Sequence, residues 1–219
     1  MLESKRFIGG SLITVIGVGP GAPEYIAPIA WKKAEDADVL VGSKRALERF
    51  SSLGKKAFVI ERGSELAIER LKSLGDCNVA VLVSGDPGLF SFLAVLKRHF
   101  PSEEIEVYPG ISSAQLFMAR LVNSWDDVRF FSVHGRSERI LDDVAKAGGK
   151  ACLFLDGKNS ANRVARMLAE KGVRARAFVG LHLSYGDEKI IEADLAELAR
   201  MDEFSDKENA LLYLEMEGD

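Results

Sequence analysis

Leu12-Ile13-Thr14-Val15-Ile16-Gly17-Val18-Gly19-Pro20-Gly21 reads as a buried strand running straight into a glycine turn. Near-continuous apolar character from Leu12 to Val18, rather than alternation, predicts a strand covered on both faces, as in a parallel sheet. Glycines here let the backbone turn tightly and approach a neighbour or a ligand with no side chain in the way. The loop departs from the dinucleotide pattern GxGxxG, because Pro20 interrupts it and Ala22 takes the sixth place. No acidic residue ends the second strand, where Val41-Gly42-Ser43 stand, so the ribose-binding feature of that fold is missing. By itself the loop reads equally as a strand-to-helix turn and as a ligand loop.

The same rhythm continues outward. Val39–Gly42, Ala57–Ile60 and Val79–Ser84 read as strands, with Ile105–Tyr108 as a shorter fifth. Helical segments stand between them, such as the one with Ala67, Leu71 and Leu74 on one face, stopped by Gly75. A second series of strands is predicted at Val128–Val133, Ala151–Leu155, Ala175–Leu181, Lys189–Glu192 and Ala210–Glu215. Helices opening after Ser137 and after Asn159-Ser160 fall within it, ending at Gly148 and Gly172. The closing strands have less helix between them, which predicts a mixed second sheet. The expected architecture is two α/β lobes, residues 11–111 and 112–219, the first sheet mainly parallel. The cleft between such lobes is a favoured ligand site.

Composition narrows the function. At 219 residues, 47% hydrophobic and 28% charged, the chain has ample material for a core and is too apolar for disorder. A balance of 29 basic against 33 acidic residues excludes the basic footprint of a general nucleic-acid binder. Lys5-Arg6 followed by the uncharged stretch Phe7 to Ala22 superficially resembles a secretion signal, but Gly9-Gly10 breaks it. No run is long enough to span a membrane. Cys77 and Cys152 have no CxxC spacing, so they read as buried reduced thiols of a cytoplasmic protein rather than zinc ligands.

Two further turns carry chemistry. In Ser84-Gly85-Asp86-Pro87-Gly88, Asp86 either caps a helix with Pro87 at its first position or offers a carboxylate to a ligand's hydroxyl or ammonium groups. In Pro109-Gly110-Ile111-Ser112-Ser113, the serines either cap the next helix, where Ser112 and Gln115 have capping-box spacing, or hold a polar ligand.

Taken together, GxGPG after the first strand, then SGDP, then PGISS, in that order, resembles the tetrapyrrole (corrin/porphyrin) methylase family of S-adenosylmethionine-dependent enzymes, the class III methyltransferases. Ser124-Trp125-Asp126-Asp127, Ser132-Val133-His134-Gly135-Arg136, Leu155-Asp156-Gly157-Lys158-Asn159 and Leu183-Ser184-Tyr185-Gly186-Asp187-Glu188 are similar to the corrin branch that methylates C-5 of cobalt-precorrin-7 in cobalamin biosynthesis. The resemblance covers residues 11–217. There are departures: Ala22 stands where an acidic residue is common, Ile26-Ala27 replace a Leu-Thr pair, and Pro28 can start the helix instead. His182 takes a place often polar or acidic, and Gly186 one usually held by proline.

The resemblance implies a cytoplasmic homodimer that holds S-adenosylmethionine, released as S-adenosylhomocysteine, on Gly19, Pro20, Gly21, Gly85, Asp86, Leu89, Ser112 and Ser113. Val133, Leu155 and Leu183 close the site from the second lobe. Arg136 suits the acetate and propionate carboxylates of a corrinoid substrate, because its planar fork matches them, and Lys158 is a lesser candidate for that job. Ion pairing at the surface is the competing reading of Arg136. His134 is a weak candidate for a base, equally readable as a structural histidine. No metal is expected beyond cobalt carried inside the substrate. Some relatives are fused to a domain that methylates C-15 and removes a carboxyl group; its absence here points to a separate partner. The rivals are another macrocycle carbon, a non-tetrapyrrole substrate, or a non-catalytic nucleotide-sensing module on a doubly wound sheet.

Overall fold

The computed structural model describes residues 12–60, 64–133, 139–202 and 210–217. The chain divides into two compact units that part between Ser112 and Ser113.

In the first unit strands and helices alternate: β1 (Ile13–Gly17), α1 (Pro28–Asp36), β2 (Val39–Gly42), α2 (Lys44–Arg49), β3 (Lys56–Val59), α3 (Ser64–Lys72), β4 (Val79–Val83), α4 (Leu93–Leu96) and β5 (Ile105–Tyr108). The sheet order is β3-β2-β4-β1-β5, and every pairing is parallel. The strands β1, β2 and β4 are buried along their whole length. Their unbroken apolar runs have a simple cause: alternate side chains serve two different cores. Ile16, Leu40, Ala80 and Leu82 pack with Ala30, Ala34, Leu47 and Phe50 of α1, α2 and the turn after α2. On the other face Val15, Val41, Val79 and Val81 pack with Ile68, Leu71 and Leu96 of α3 and α4. Pro28 does start α1, at a position where its missing N–H would have had no helical partner.

Of the two readings of Asp86, the helix cap is not met. Asp86-Pro87 opens a series of turns instead, and helix resumes only at α4. Asp86 turns its side chain onto Gly88 N at 2.7 Å, and Phe90 has φ of 49°, which a right-handed helix cannot accommodate.

The second unit holds α5 (Ser113–Arg120), β6 (Val128–Ser132), α6 (Ile140–Ala147), β7 (Lys150–Phe154), α7 (Ala161–Glu170), β8 (Ala175–Leu181), β9 (Lys189–Asp194), α8 (Leu195–Leu198) and β10 (Leu211–Met216). Its order is β6-β7-β10-β8-β9. The strands β6 and β7 are parallel, and β10 inserts antiparallel between β7 and β8, which makes the sheet mixed. Leu141, Val144, Leu168, Leu195 and Leu198 cover one face against Leu153, Val179 and Leu212. On the opposite face the Phe117 ring of α5 lies against Gly180, where a Cβ would come within 2.9 Å of the ring. Ser160 caps α7 by accepting from Arg163 N. Ser137, expected to cap α6, lies outside the described residues.

All ten expected strands form, with ends displaced by no more than two residues. Among the described residues no helix is long and apolar enough to cross a membrane. Cys152 is fully buried in β7, and burial pushes its thiol up to about 12, whereas Cys77 is half-buried. In the folded protein at pH 8, iodoacetamide should therefore leave Cys152 unmodified, and denaturant should expose it; mass spectrometry of labelled peptides checks this.

Candidate functional site

The parallel sheet aligns the carboxyl ends of β1, β4 and β5, so the three glycine turns leave from neighbouring strands on one edge. From β1 the chain crosses toward β2, and from β4 it crosses the other way, toward β5. The boundary between β1 and β4 is thus a topological switch point, where open α/β sheets bind their ligands.

Backbone contacts join the three turns. Gly19 N donates to Gly85 O at 3.4 Å, and Gly85 N returns a bond to Gly19 O at 2.8 Å. A Cβ placed on Gly17 would lie 2.5 Å from Gly110 N and 2.7 Å from Gly85 O. One placed on Gly110 would lie 2.4 Å from Gly85 O and 2.6 Å from the Gly17 carbonyl carbon. Main chain meets main chain there, and only glycine fits. Gly19 and Gly85 also take φ of 77° and 67°, in the left-handed region that glycine enters without strain.

Asp86 ties the cluster. Its Oδ1 accepts from Gly88 N and its Oδ2 accepts from Gly110 N at 3.1 Å, across 24 residues of sequence. The carboxylate therefore links the second turn to the third. Each of its oxygens keeps a lone pair for a further donor. Leu89, half-buried, donates its N–H to Asp86 O, and Pro20, Gly21 and the buried Ser112 complete the first unit's share of the predicted residues.

In the second unit Ser113 opens α5. The strands β6, β7 and β8 run the same way, since β7 and β8 are both antiparallel to β10. Val133, Leu155 and Leu183 follow these strands on one edge of that sheet, all nearly fully buried. Val133 and Leu155 belong to its core, where Val133 N bonds Phe154 O and Leu155 N bonds Ala210 O. Lys158 is exposed on the turn after β7, where Asp156 Oδ1 accepts from Lys158 N and Asn159 N. His134 and Arg136 lie outside the described residues. Among the described residues no group of three His, Cys, Asp or Glu side chains could hold a metal ion.

Two functional candidates escaped sequence reasoning. Glu188 Oε1 accepts from Arg120 Nε at 2.6 Å, and its Oε2 accepts from Ser184 N at 2.6 Å. Burial pushes the Glu188 carboxyl up, but the Arg120 guanidinium and the Ser184 N–H outweigh it and hold the group below its ordinary value. No local signal could have paired residues 68 apart.

The first unit is a doubly wound parallel sheet and the second a mixed α/β sheet, and sequence comparison defines the family. The profile of the Tetrapyrrole (Corrin/Porphyrin) Methylases matches residues 12–199, and the chain belongs to that family. It is 33% identical to the probable cobalt-precorrin-7 C(5)-methyltransferase of Methanocaldococcus jannaschii, over 87% of this chain and 93% of that protein. It is 28% identical to the cobalt-precorrin-7 C(5)-methyltransferase of Salmonella typhimurium, over 82% and 89%. Uroporphyrin-III C-methyl transferase from Thermus thermophilus, solved with S-adenosylhomocysteine, superposes with a TM-score of 0.74 at 21% identity, over 94% of this chain and 97% of that one.

Gly110→Ala should be severe, because its new methyl meets only backbone; a loss of about 3 kcal/mol or more in urea unfolding is expected. Gly186→Ala, with nothing within 4 Å of its Cβ, should change stability by less than about 0.5 kcal/mol.

Proposed function

We propose that this chain transfers the methyl group of S-adenosylmethionine to C-5 of cobalt-precorrin-7 or its cobalt-free counterpart, in cobalamin biosynthesis. The observation that carries the reading is the meeting of Gly17, Gly85 and Gly110 at the switch point, with Asp86 tying them. The names of the two C(5)-methyltransferases support the substrate, and the Thermus complex supports the cofactor.

The turns fit the cofactor in chemical terms. S-adenosylmethionine carries an amino-acid end, ribose hydroxyls and an adenine but no phosphate. It needs close main-chain approach and scattered polar groups rather than a cationic cradle. Gly19, Pro20, Gly21, Gly85, Leu89, Ser112 and Ser113 offer such groups, and the free lone pairs of Asp86 suit a hydroxyl or ammonium donor. Val133, Leu155 and Leu183 belong to the same proposal as apolar contacts, and Arg136 and Lys158 as partners for substrate carboxylates.

The cofactor supplies a methyl group already activated on sulfonium, so the protein needs no covalent nucleophile. Its own task is to hold the acceptor carbon in line with that methyl and to keep water out. Rigid main-chain turns suit this work, since they have no rotamers to misplace. His134 stays a proposal for the base that takes the proton lost from the acceptor. Homodimer formation, residence in the cytoplasm and a separate partner acting at C-15 complete the proposal on the strength of the family alone.

Incubation with isotopically labelled methyl donor and cobalt-precorrin-7 should place the label at C-5, read by NMR of the product. Label at another carbon would move the chain to a different branch. Calorimetry separates the non-catalytic rival: S-adenosylhomocysteine should bind, and binding of nucleotides alone would favour a sensing module. Asp86→Ala, which leaves two backbone N–H groups without their acceptor, should weaken S-adenosylhomocysteine binding about tenfold or more, a loss of about 1.4 kcal/mol per tenfold. Unchanged affinity with reduced stability would make Asp86 a loop tie only.

A further inference from the structure

The turn after β8 is held against its own preferences. His182 and Ser184 have φ of 46° and 76°, on either side of the buried Leu183. Residues other than glycine rarely enter this region, and they stay there only where surrounding contacts enforce it. Four contacts do so. Tyr185 N donates to His182 O at 2.9 Å, and Glu188 N donates to Tyr185 O at 3.0 Å. His182 Nδ1 lies 2.5 Å from Asp187 Oδ2. Ser184 N, the amide of the most left-handed residue, donates to Glu188 Oε2 at 2.6 Å.

Glu188 is in turn fixed by a second element. Its other oxygen takes the Nε of Arg120, the last residue of α5. An ion pair with half-exposed Arg120 would ordinarily contribute little. Here one carboxylate bridges a helix end and the amide of a strained turn, so its loss releases a backbone conformation and not merely a contact. Leu183 depends on that conformation: its Cδ1 would stand 3.1 Å from a Cβ on Gly180, a residue already closed off by Phe117.

We infer that Glu188, braced by Arg120, is a positioning residue that sets the Leu183–Tyr185 backbone for contact with the methyl donor. The inference rests on the function proposed above and assigns Glu188 no contact with the reacting atoms. Its role is to hold in advance a turn that would otherwise have to be ordered when the ligand binds.

The test compares the full chain with Glu188→Ala, Glu188→Gln and Val164→Ala, the last removing methyl groups from the buried core of the same unit. Glu188→Ala should raise the Kd for S-adenosylhomocysteine, and the KM for the methyl donor, by about tenfold. Glu188→Gln keeps an oxygen for Ser184 N but turns its NH2 toward the Arg120 Nε–H, so it should recover only part of the affinity. Val164→Ala should lower Tm without moving Kd. Wild-type affinity in Glu188→Ala, or an equal loss in Val164→Ala, overturns the inference while the proposed function stands. A wild-type chain that binds no S-adenosylhomocysteine overturns the proposed function and this inference with it.

Discussion

Three main-chain segments press against one another at Gly17, Gly85 and Gly110, with no room for a side chain among them. Everything built on the edge of the first sheet depends on that contact. It fixes how far apart the turns stand, and it gathers their backbone N–H and C=O groups on one edge of the sheet. A carboxylate then secures what sterics allow, because Asp86 accepts from the second turn and from the third at once. A turn held by its own backbone is stiff, and stiffness suits a reaction in which the protein's task is alignment.

The second unit reaches comparable order by different means. Its sheet is mixed, and the turn after β8 has no glycine at its left-handed positions. Strain there is met by side chains: Asp187 on His182, and Glu188 on Ser184, with Arg120 behind it. At Gly19 and Gly85 glycine removes the cost of a left-handed backbone, while at His182 and Ser184 the cost is offset by charged partners. Two ways of holding a turn thus occur in one chain.

Much of this was legible beforehand. Near-continuous apolar runs such as Leu12–Val18 and Val79–Ser84 announce doubly covered strands, because a two-sided core leaves few polar positions. The sparse helix among the last strands announces a mixed sheet for a similar local reason. Asp86 is the instructive exception. Asp-Pro reads as a helix start, yet Asp86 bends onto Gly88 and the left-handed Phe90 follows, so no helix forms there. Glu188 was visible only as part of a family-like segment, since its partner stands 68 residues earlier.

The sequence by itself determined the strands, the glycine turns that end three of them, and the family to which those turns belong, because each is a local property of composition and order. Tertiary structure alone decided that Gly17, Gly85 and Gly110 would touch, that Asp86 would reach Gly110, and that Arg120 would brace Glu188. Those facts rest on distances between residues far apart in the chain, which strand order and crossover direction set and which no local pattern encodes.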